Sequence, residues 1–454
     1  MTLAGKRVLV VGLGASGWAA ARALVDLDAK VRVTESGDTP ELQERADSLR
    51  ARGAEVELGG HDLEHLDADL AIVSPGIPPT TDVVAALIHS ETPVISEVEL
   101  AYRIATCDFL AITGTNGKTT TTSLLAAMLA RSGVPSTAAG NIGLPVIDAV
   151  QSIGDDGAIA LEVSSFQLAG TTTFRPRVAV LLNIAEDHTD WHGSMDSYTD
   201  AKAMIVANQH PDDYFVVNAD DDRAWALAAR AASTVVPFST VRPVPDGIAI
   251  VGGAVEWKGE HLMPVTDIPL KGRAGLEDVL AASAAALVYG VAATDVRAAT
   301  RAFAPLHHRL ETVSVLDGVT YVDDSKATNP HAALAALSGL ADVVLIAGGR
   351  SKGIDLTALR KAVPPVIAVI AIGEAADEIA RVFDGLVPVD RASSMAAAVR
   401  AARARSIPGG SVLLAPGCAS LDMYESYAAR GDDFARSVRD QEADAGEGRA
   451  SGKH

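Results

Sequence analysis

The segment DFLAITGTNGKTT, residues 108–120, decides the fold of this chain. An apolar strand leads into a loop of small residues, and the loop leads into a predicted helix that continues to residue 131. The backbone amides of such a loop bind phosphates, the amine of Lys118 can reach the outer phosphates, and the hydroxyl of Thr119 can ligate Mg²⁺. Ile112 stands where the strict P-loop pattern has its first glycine. The narrower GTNGKTT pattern still predicts a nucleoside triphosphate site at the end of a strand.

The rest of the chain extends this pattern to three α/β domains. Residues 1–97 alternate the apolar runs RVLVVG, VRVTE and LAIVSPG with helical stretches, which is typical of a Rossmann-like parallel sheet. Residues 98–304 form a central P-loop ATPase-like domain, with short strands and turns predicted over 235–270. Residues 305–439 contain apolar runs that end in glycine turns and predict a second Rossmann-like parallel sheet. The polar residues 440–454 are predicted to be a disordered tail.

The composition argues against several classes of protein. The formal net charge is −20 and the pI is about 4.9. Proteins that coat nucleic acids or bind acidic membranes need a positive surface, so neither class is expected. Cys107 and Cys418 lie far apart in the sequence and fit a reducing compartment without disulfides. No uncharged apolar stretch reaches the roughly 18 residues of a membrane span. We therefore expect a cytoplasmic protein without membrane insertion.

The segment GLGASG, residues 12–17, follows the first strand and opens a helix, and Glu35 lies at the end of the second strand. This context matches the dinucleotide fingerprint, in which glycines let backbone amides approach a diphosphate at a helix N-terminus. NAD is one candidate ligand. The diphosphate of a nucleotide sugar is another, because the same physics holds for any diphosphate. A tight turn without a ligand is the third interpretation.

Polar residues follow further strands of the central domain. Glu162 lies at a strand end within the predicted strand segment 158–168, where a carboxylate could hold Mg²⁺ against ATP phosphates. Alone, it could equally be an ordinary surface glutamate. His188 could bind a metal through a neutral ring nitrogen, although a lone histidine is more often structural. Lys202 begins a predicted helix and, taken alone, is expected to be a solvated surface lysine.

A similar group of polar residues opens the third domain. Arg309 is a candidate clamp on phosphate. Asp324 could bond a ribose hydroxyl, and Lys326 and Thr328 could hold a carboxylate of a second substrate. Each of these is, by itself, only a polar loop residue.

Taken together, the motifs TGTNGKTT, LEVSSFQL, NIAEDHTDWHGS, HHRLE, DDSKATNP and PGCASLD occur in this order over nearly the whole chain. The set resembles the Mur ligases, the cytoplasmic ATP-dependent amide ligases of peptidoglycan synthesis. GLGASG and DSKATN favour the members that add D-glutamate to UDP-N-acetylmuramoyl-L-alanine, because members adding the third residue lack this fingerprint and carry a DNPR-type motif. The resemblance implies the three domains above, an acyl-phosphate intermediate, small-molecule substrates and a monomer.

The same resemblance implies residue roles. The UDP-linked substrate would be bound by Gly14, Ser16, Glu35, Ser36, Gly76, Asn141 and Ser164. ATP would be bound by Gly114, Thr115, Asn116, Gly117, Lys118, Thr119, Thr120, Arg309 and Asp324. D-Glutamate would be bound by Lys326, Thr328, Lys352, Ser420, Leu421 and Tyr427. Two Mg²⁺ ions are implied, with Thr119, Glu162, His188 and Lys202 as metal ligands. Lys202 would act as a carbamate formed with CO₂, and Lys118, His188 and Lys202 are the implied catalytic residues.

The sequence departs from the family pattern in one important segment. GRAGLEDVLAA, residues 272–282, stands where the family has G-x-H-N-x-x-N, and Gly275 and Asp278 occupy the two asparagine positions. Those asparagines contact the adenine in the family, so no site role is assigned to this segment. Glu35 replaces a frequent aspartate, and Tyr427 stands where phenylalanine is expected.

Three other interpretations remain open from the residues alone. The chain could be another member of the Mur ligase family. It could be an NAD(P)-dependent dehydrogenase, which would explain GLGASG and Glu35 but nothing after residue 108. It could also be a P-loop module that binds nucleotide without catalysis. If ATP is bound from both the central and the third domain, closure of the third domain on the nucleotide is expected.

Overall fold

The structure is a computed structural model. It describes residues 3–63, 66–270, 272–337, 339–351 and 353–451, without the side chains of Asp190 and of residues 443–451. The chain divides into two compact units. The first contains residues 1–184, 196–267 and 277–302, and the second contains residues 185–195, 268–276 and 303–454. The first unit holds two β-sheets and the second holds one, so each predicted domain has its own sheet.

The N-terminal sheet has five parallel strands in the order β3-β2-β1-β4-β5. They are β1 (Arg7–Val11), β2 (Lys30–Glu35), β3 (Glu55–Leu58), β4 (Leu70–Val73) and β5 (Val94–Ser96). Its helices are α1 (Ala15–Asp26), α2 (Pro40–Arg50) and α3 (Asp82–His89), and α4 (Glu97–Ile104) leads into the central domain. The three predicted strands are confirmed as β1, β2 and β4. β3 and β5 were not predicted, because both are short and β3 is only half-buried.

The central sheet has nine strands in the order β14-β13-β12-β11-β10-β9-β6-β8-β7. They are β6 (Asp108–Thr113), β7 (Ser136–Gly140), β8 (Ala158–Glu162), β9 (Val178–Leu181), β10 (Tyr214–Asn218), β11 (Thr234–Ser239), β12 (Ile248–Val251), β13 (Ala254–Trp257) and β14 (Glu260–Pro264). β6 lies between β8 and β9, parallel to both, and is buried from Phe109 onward. The last three strands pair antiparallel with one another at one edge of the sheet, and they confirm the short strands and turns predicted over 235–270.

The helices along the central part of the chain are mostly short. They are α5 (Lys118–Arg131), α6 (Val146–Ser152), α7 (Ser165–Ala169), α8 (Thr189–His192), α9 (Met195–Ala203), α10 (Asp222–Ala226), α11 (Gly272–Tyr289) and α12 (Ala293–Ala302). The predicted strand over 158–168 is wrong beyond Glu162. Ser164 and Gln167 form a reciprocal capping box there, which starts α7 instead. Lys202 lies near the end of α9 rather than at a helix start.

The C-terminal sheet has six strands in the order β15-β16-β20-β17-β18-β19. They are β15 (Glu311–Leu316), β16 (Val319–Asp323), β17 (Val343–Gly348), β18 (Val366–Ile372), β19 (Val389–Ala392) and β20 (Ser411–Leu414). All pairs are parallel except β15–β16, an antiparallel edge that was not predicted. The helices are α13 (Pro330–Ala336), α14 (Ala376–Phe383), α15 (Met395–Arg405) and α16 (Tyr427–Ser451).

The end of the chain differs from the prediction. A disordered tail was expected from residue 440, but α16 continues through Ser451. Phe434 and Val438 of this helix are buried against the sheet, and this packing starts a helix that the polar composition alone does not predict. Residues 452–454 lie outside the described residues. Within the part of the chain that the structure describes, no helix is both long and apolar enough to cross a bilayer.

Candidate active site

The phosphate loop joins β6 to α5, as the sequence predicts. Gly114 and Gly117 have φ angles of +158° and +89°, which only glycine adopts without strain. Thr119 and Thr120 lie in the first turn of α5, whose free amide groups point into the loop. A helix N-terminus next to a loop of this kind is a binding site for anions. The loop therefore fits a nucleotide phosphate chain.

A residue that the sequence analysis did not single out holds this loop. The backbone of Asn183, two residues after β9, accepts a hydrogen bond from the Thr115 amide at 2.9 Å. Its side-chain oxygen accepts from the Asn116 amide at 2.8 Å, and its side-chain nitrogen donates to the Asn116 carbonyl at 3.2 Å. These three bonds fix the loop against the neighbouring strand. The contact depends on β9 pairing directly with β6, which motif spacing does not reveal.

Asp278 packs against the other side of the loop. It is 2% exposed, and its carboxylate accepts a hydrogen bond from the Thr121 hydroxyl at 3.3 Å. A Cβ atom on Gly117 would lie 2.2 Å from the Asp278 carboxylate oxygen. The departure from the family asparagine at position 278 therefore places a buried carboxylate directly behind the phosphate loop.

Two lysines meet at the start of the loop. The amine of Lys118 donates to the carbonyls of Gly114 and Thr115, at 3.0 and 2.9 Å. The amine of Lys202 donates to the same Gly114 carbonyl at 2.8 Å and lies 4.6 Å from the centre of the Tyr198 ring. Lys202 is 1% exposed, so the expectation of a solvated surface lysine is wrong. The loop carbonyl draws this side chain inward, next to the predicted ATP site.

Glu162 ends β8 beside the phosphate loop, as predicted. The residue is 2% exposed, and one carboxylate oxygen accepts from the Asn141 side chain at 2.8 Å. The other oxygen is buried without a hydrogen-bond partner among the described residues. A buried carboxylate oxygen without a donor is costly unless a cation binds it, and Mg²⁺ prefers oxygen ligands. These residues therefore fit a magnesium ion. Asn141 contacts Glu162, and the Ser164 hydroxyl caps α7.

The N-terminal domain has a cleft of about 640 Å³ at the ends of its strands, lined by residues that include Gly14, Glu35, Ser36 and Gly76. Burial disfavours the ionised form of Glu35, but hydrogen bonds from the backbone amides of Gly37 and Leu13, at 2.8 and 2.7 Å, outweigh it and lower the pKa of this carboxyl. Glu35 is therefore an ionised acceptor at the edge of a cleft large enough for part of a nucleotide.

Ser16 lies next to a buried carboxyl group rather than in this cleft. Glu97, the first residue of α4, is 1% exposed and accepts from the Ile147 amide at 3.2 Å. Burial raises its pKa to about 7, although the amides at the start of α6 and the Ser16 side chain act in the opposite direction. Glu97 thus caps α6 and ties the N-terminal domain to the central one. It was not predicted.

In the second unit, His188 lies in a loop that is tied to the DSKATNP segment. Its own φ angle is +53°, a strained value for a residue with a side chain. Asp187 accepts from the His188 amide at 3.0 Å and from the Asn329 side chain at 3.1 Å. Asp187 and Asn329 are both buried. Two motifs whose bonded residues are 142 positions apart in sequence are therefore joined next to His188. Neither Asp187 nor Asn329 was given a role in the sequence prediction.

Arg309 and Asp324, the two predicted ATP residues of the C-terminal domain, are next in sequence to His308 and Asp323. Asp324 is 6% exposed, and burial raises its pKa to about 7 against the opposing charge of Arg309. The Asp323 carboxylate and Nδ1 of His308 form a hydrogen bond of 2.8 Å. This pair connects the HHRLE segment to the end of β16.

The predicted D-glutamate residues follow the adjacent strands β16 and β20. The amine of Lys326 lies 3.4 Å from the Tyr427 hydroxyl and 5.0 Å from the centre of its ring. Thr328 is half-buried, Ser420 is buried and Leu421 is exposed. Lys352 lies outside the described residues. The structure thus gathers Lys326 with Tyr427 at the strand ends, where ligand loops of α/β sheets occur.

The fold and these contacts define the class of the protein: a three-domain α/β protein whose central P-loop fits a nucleoside triphosphate. Three family models match in succession. They are the Mur ligase MurD-like N-terminal domain over residues 6–96, the Mur ligase middle domain over 112–286, and the Mur ligase glutamate ligase domain over 308–418.

Full-length relatives agree with these matches. The chain is 47% identical over 450 residues to the UDP-N-acetylmuramoylalanine–D-glutamate ligase of Frankia casuarinae, covering 97% of this chain and 95% of that protein. It is 42% identical over 439 residues to the ligase of the same name from Geobacillus kaustophilus, covering 95% and 97%. In fold it is similar to UDP-N-acetylmuramate-alanine ligase MurC from Thermotoga maritima, with a TM-score of 0.60 at 18% identity, covering 97% and 100%.

This chain belongs to the Mur ligase family. Members of this family use ATP, generally with Mg²⁺. The predicted fold class, with two Rossmann-like domains around a central P-loop domain, is confirmed. Family membership argues against the dehydrogenase and the non-catalytic nucleotide-binding module.

Proposed function

We propose that the chain is an ATP-dependent ligase that adds D-glutamate to UDP-N-acetylmuramoyl-L-alanine in peptidoglycan precursor synthesis, with ADP and phosphate as the other products. The observation that carries this proposal is the 47% identity to the D-glutamate ligase of Frankia casuarinae over 97% of this chain. We further propose that it acts as a cytoplasmic monomer with domain boundaries near residues 97, 304 and 439.

The first chemical step is activation of a carboxylate. A carboxylate is a poor electrophile, so its oxygen attacks the γ-phosphorus of ATP, ADP leaves, and an acyl phosphate forms. Lys118 and the amide groups at the start of α5 neutralise the charge on the transferred group. The loop backbone needs little rearrangement, because Asn183 already holds it in place.

Mg²⁺, when bound, spreads the negative charge of the phosphates. Thr119 and Glu162 would hold one ion, and His188 would hold a second. The Glu162 oxygen that lacks a donor supports its assignment as a ligand. Carbamylation of Lys202 by CO₂ would replace a cation with a carboxylate-like metal ligand, and the position of its amine at Gly114 next to Lys118 supports this role.

The two other substrates have separate sites in this proposal. Gly14, Glu35, Ser36 and Gly76 line the cleft for the UDP group, and the ionised Glu35 retains acceptor capacity for a hydroxyl. Ser16, Asn141 and Ser164 are proposed for the same substrate. D-Glutamate would be held by residues of the C-terminal domain: Lys326, Thr328, Lys352, Ser420, Leu421 and Tyr427.

In the second step the D-glutamate amine attacks the acyl carbon, loses a proton and displaces phosphate. Acyl phosphates also react with water, so the amine must be positioned before activation is complete. The protein forms no covalent bond to the substrate in this scheme.

Phosphate release from purified protein tests the proposal directly. ATP, Mg²⁺ and UDP-N-acetylmuramoyl-L-alanine are supplied with D-glutamate, L-glutamate, another amino acid, or no amino acid, and one further reaction omits the UDP substrate. We expect release that depends on D-glutamate. Release with L-lysine or a diamino acid instead would assign the chain to another member of the family, and release without any UDP substrate would contradict the ligase function.

A further inference from the structure

A buried arginine lies behind the loops proposed for D-glutamate. Arg430, in the first turn of α16, is 1% exposed and is the largest fully buried side chain among the described residues. Its Nε donates to the Ser325 hydroxyl at 3.0 Å, one terminal nitrogen donates to the Ser325 carbonyl at 2.8 Å, and the other donates to the Cys418 carbonyl at 3.1 Å. All three acceptors are neutral.

Arg430 has no ion pair with a carboxylate in the described part of the chain. Two carboxylates act on its charge without an ion pair to it: one Asp422 oxygen accepts from the Glu374 amide at 2.8 Å, and Asp323 pairs with His308 at 2.8 Å. Burial lowers the pKa of Arg430 to about 10, so the guanidinium is charged at neutral pH. A buried charge without an ionic partner is costly and is not an efficient way to stabilise a fold.

The acceptors of Arg430 belong to two different loops. Ser325 immediately precedes Lys326 at the end of β16, and Cys418 lies two residues before Ser420 at the end of β20. The Ser325 hydroxyl also donates to the Tyr427 carbonyl at 2.7 Å, so the start of α16 is tied to the same point. One planar group thus holds the segments that carry three of the proposed D-glutamate residues.

The third loop of the C-terminal sheet joins the same cluster. The backbones of Arg350 and Ala419 exchange two hydrogen bonds, at 2.9 and 3.0 Å. A Cβ atom on Gly349 would lie 3.2 Å from a terminal nitrogen of Arg430. The guanidinium therefore bonds to the segments after β16 and β20 and lies beside the segment after the adjacent strand β17.

We propose that Arg430 is a positioning residue for the amino-acid substrate: its guanidinium sets the distance between the Lys326 segment and the Ser420 segment so that both can engage D-glutamate. The inference rests on the proposed function. A lysine cannot replace this group, because one ammonium cannot make the three bonds of a planar fork.

The test uses Arg430→Lys and Arg430→Met in the full-length protein. Arg360→Met is the control, because Arg360 also donates to a backbone carbonyl of the C-terminal domain, that of Val382 at 2.7 Å. The KM values for D-glutamate, UDP-N-acetylmuramoyl-L-alanine and ATP are measured with kcat, and thermal unfolding is measured in parallel.

For Arg430→Lys we expect the KM for D-glutamate to rise about 10- to 100-fold, because that factor corresponds to the loss of a hydrogen bond to a charged group. The KM for the UDP substrate should stay within about twofold of the wild-type value. Arg430→Met should raise the D-glutamate KM at least as much, and Arg360→Met should leave all three KM values unchanged. If Arg430→Met does not fold, the lysine variant decides the question.

An unchanged KM for D-glutamate in Arg430→Lys overturns the inference. Equal impairment of kcat and all three KM values, in proportion to the loss of thermal stability, also overturns it. A wild-type protein without D-glutamate-dependent phosphate release would instead overturn the proposed function. The two failures are therefore distinguishable.

Discussion

Replacing Gly117 with alanine tests how the phosphate loop is built. An added Cβ would lie 2.2 Å from the Asp278 carboxylate oxygen and 3.0 Å from the terminal carbon of Leu182. The backbone φ of +89° adds the cost of a left-handed conformation, about 1–2 kcal/mol. Overpacking of this kind costs roughly 1–3 kcal/mol more. We expect Gly117→Ala to lower the free energy of unfolding by about 2–5 kcal/mol.

Gly133→Ala is the matched control. Gly133 has a φ of +82°, but a Cβ there meets no atom within 4 Å. This variant should lose only the conformational part, about 1–2 kcal/mol, and should keep full activity. The double variant Gly117→Ala/Asp278→Ala removes the carboxylate that causes the clash, so it should recover part of the stability lost by Gly117→Ala alone.

The assays are urea denaturation and steady-state phosphate release. Gly117→Ala should also raise the KM for ATP, because the loop amides must shift to relieve the contact. Equal stability and equal activity of Gly117→Ala and Gly133→Ala would refute the reasoning, since only Gly117→Ala introduces contacts with Asp278 and Leu182 in the phosphate loop.

Three further variants test separate parts of the structure. Lys118→Ala should reduce phosphate release at least about 100- to 1,000-fold, because the charge of the transferred phosphoryl group is no longer stabilised. The control Lys258→Ala should release phosphate normally. Near-normal release by Lys118→Ala would show that the loop is wrongly assigned. Glu162→Gln should raise the Mg²⁺ concentration for half-maximal activity at least about tenfold, and an unchanged Mg²⁺ titration would remove this residue from the metal site. Burial disfavours ionisation of Glu99, but hydrogen bonds that include those from residues 172–174 lower its pKa from 4.5 to about 2. Because the pKa is lower in the folded protein than in the unfolded chain, Glu99→Gln should lower the free energy of unfolding by about 3 kcal/mol at pH 7. The difference in stability from wild type should vanish as the pH falls from 4.5 towards 2. A difference in stability that does not change with pH would contradict this explanation.

The strands that are easiest to predict from sequence are those with mostly buried apolar residues. β1, β4 and β6 are continuous apolar runs in parallel sheets, and such runs are visible without an alignment. β3 and β15 carry charged or polar residues at half-buried edges, so their apolar pattern is weak. α16 was not predicted, because its first turns are stabilised by the packing of Phe434 and Val438 rather than by an apolar sequence pattern.

The candidate site shows the same division between local and tertiary information. The phosphate loop and Glu162 could be predicted because strand, loop and helix follow one another in sequence. The roles of Asn183 and Asp187 could not, because they depend on which strands are neighbours and on a contact with a residue far along the chain. Taken alone, Lys202 was expected to be exposed, because a single buried lysine differs from a surface one only in its tertiary partners; only the family resemblance assigned it to the site.

The antiparallel extension of the central sheet offers a place to attach a reporter group. Gly252 and Gly253 form the tight turn between β12 and β13, both with positive φ, and a Cβ at either position meets no neighbouring atom. Five strands lie between β13 and β8, which carries Glu162. A fluorophore or short epitope inserted at this turn therefore has free space around it and lies at the opposite side of the sheet from the nucleotide chemistry.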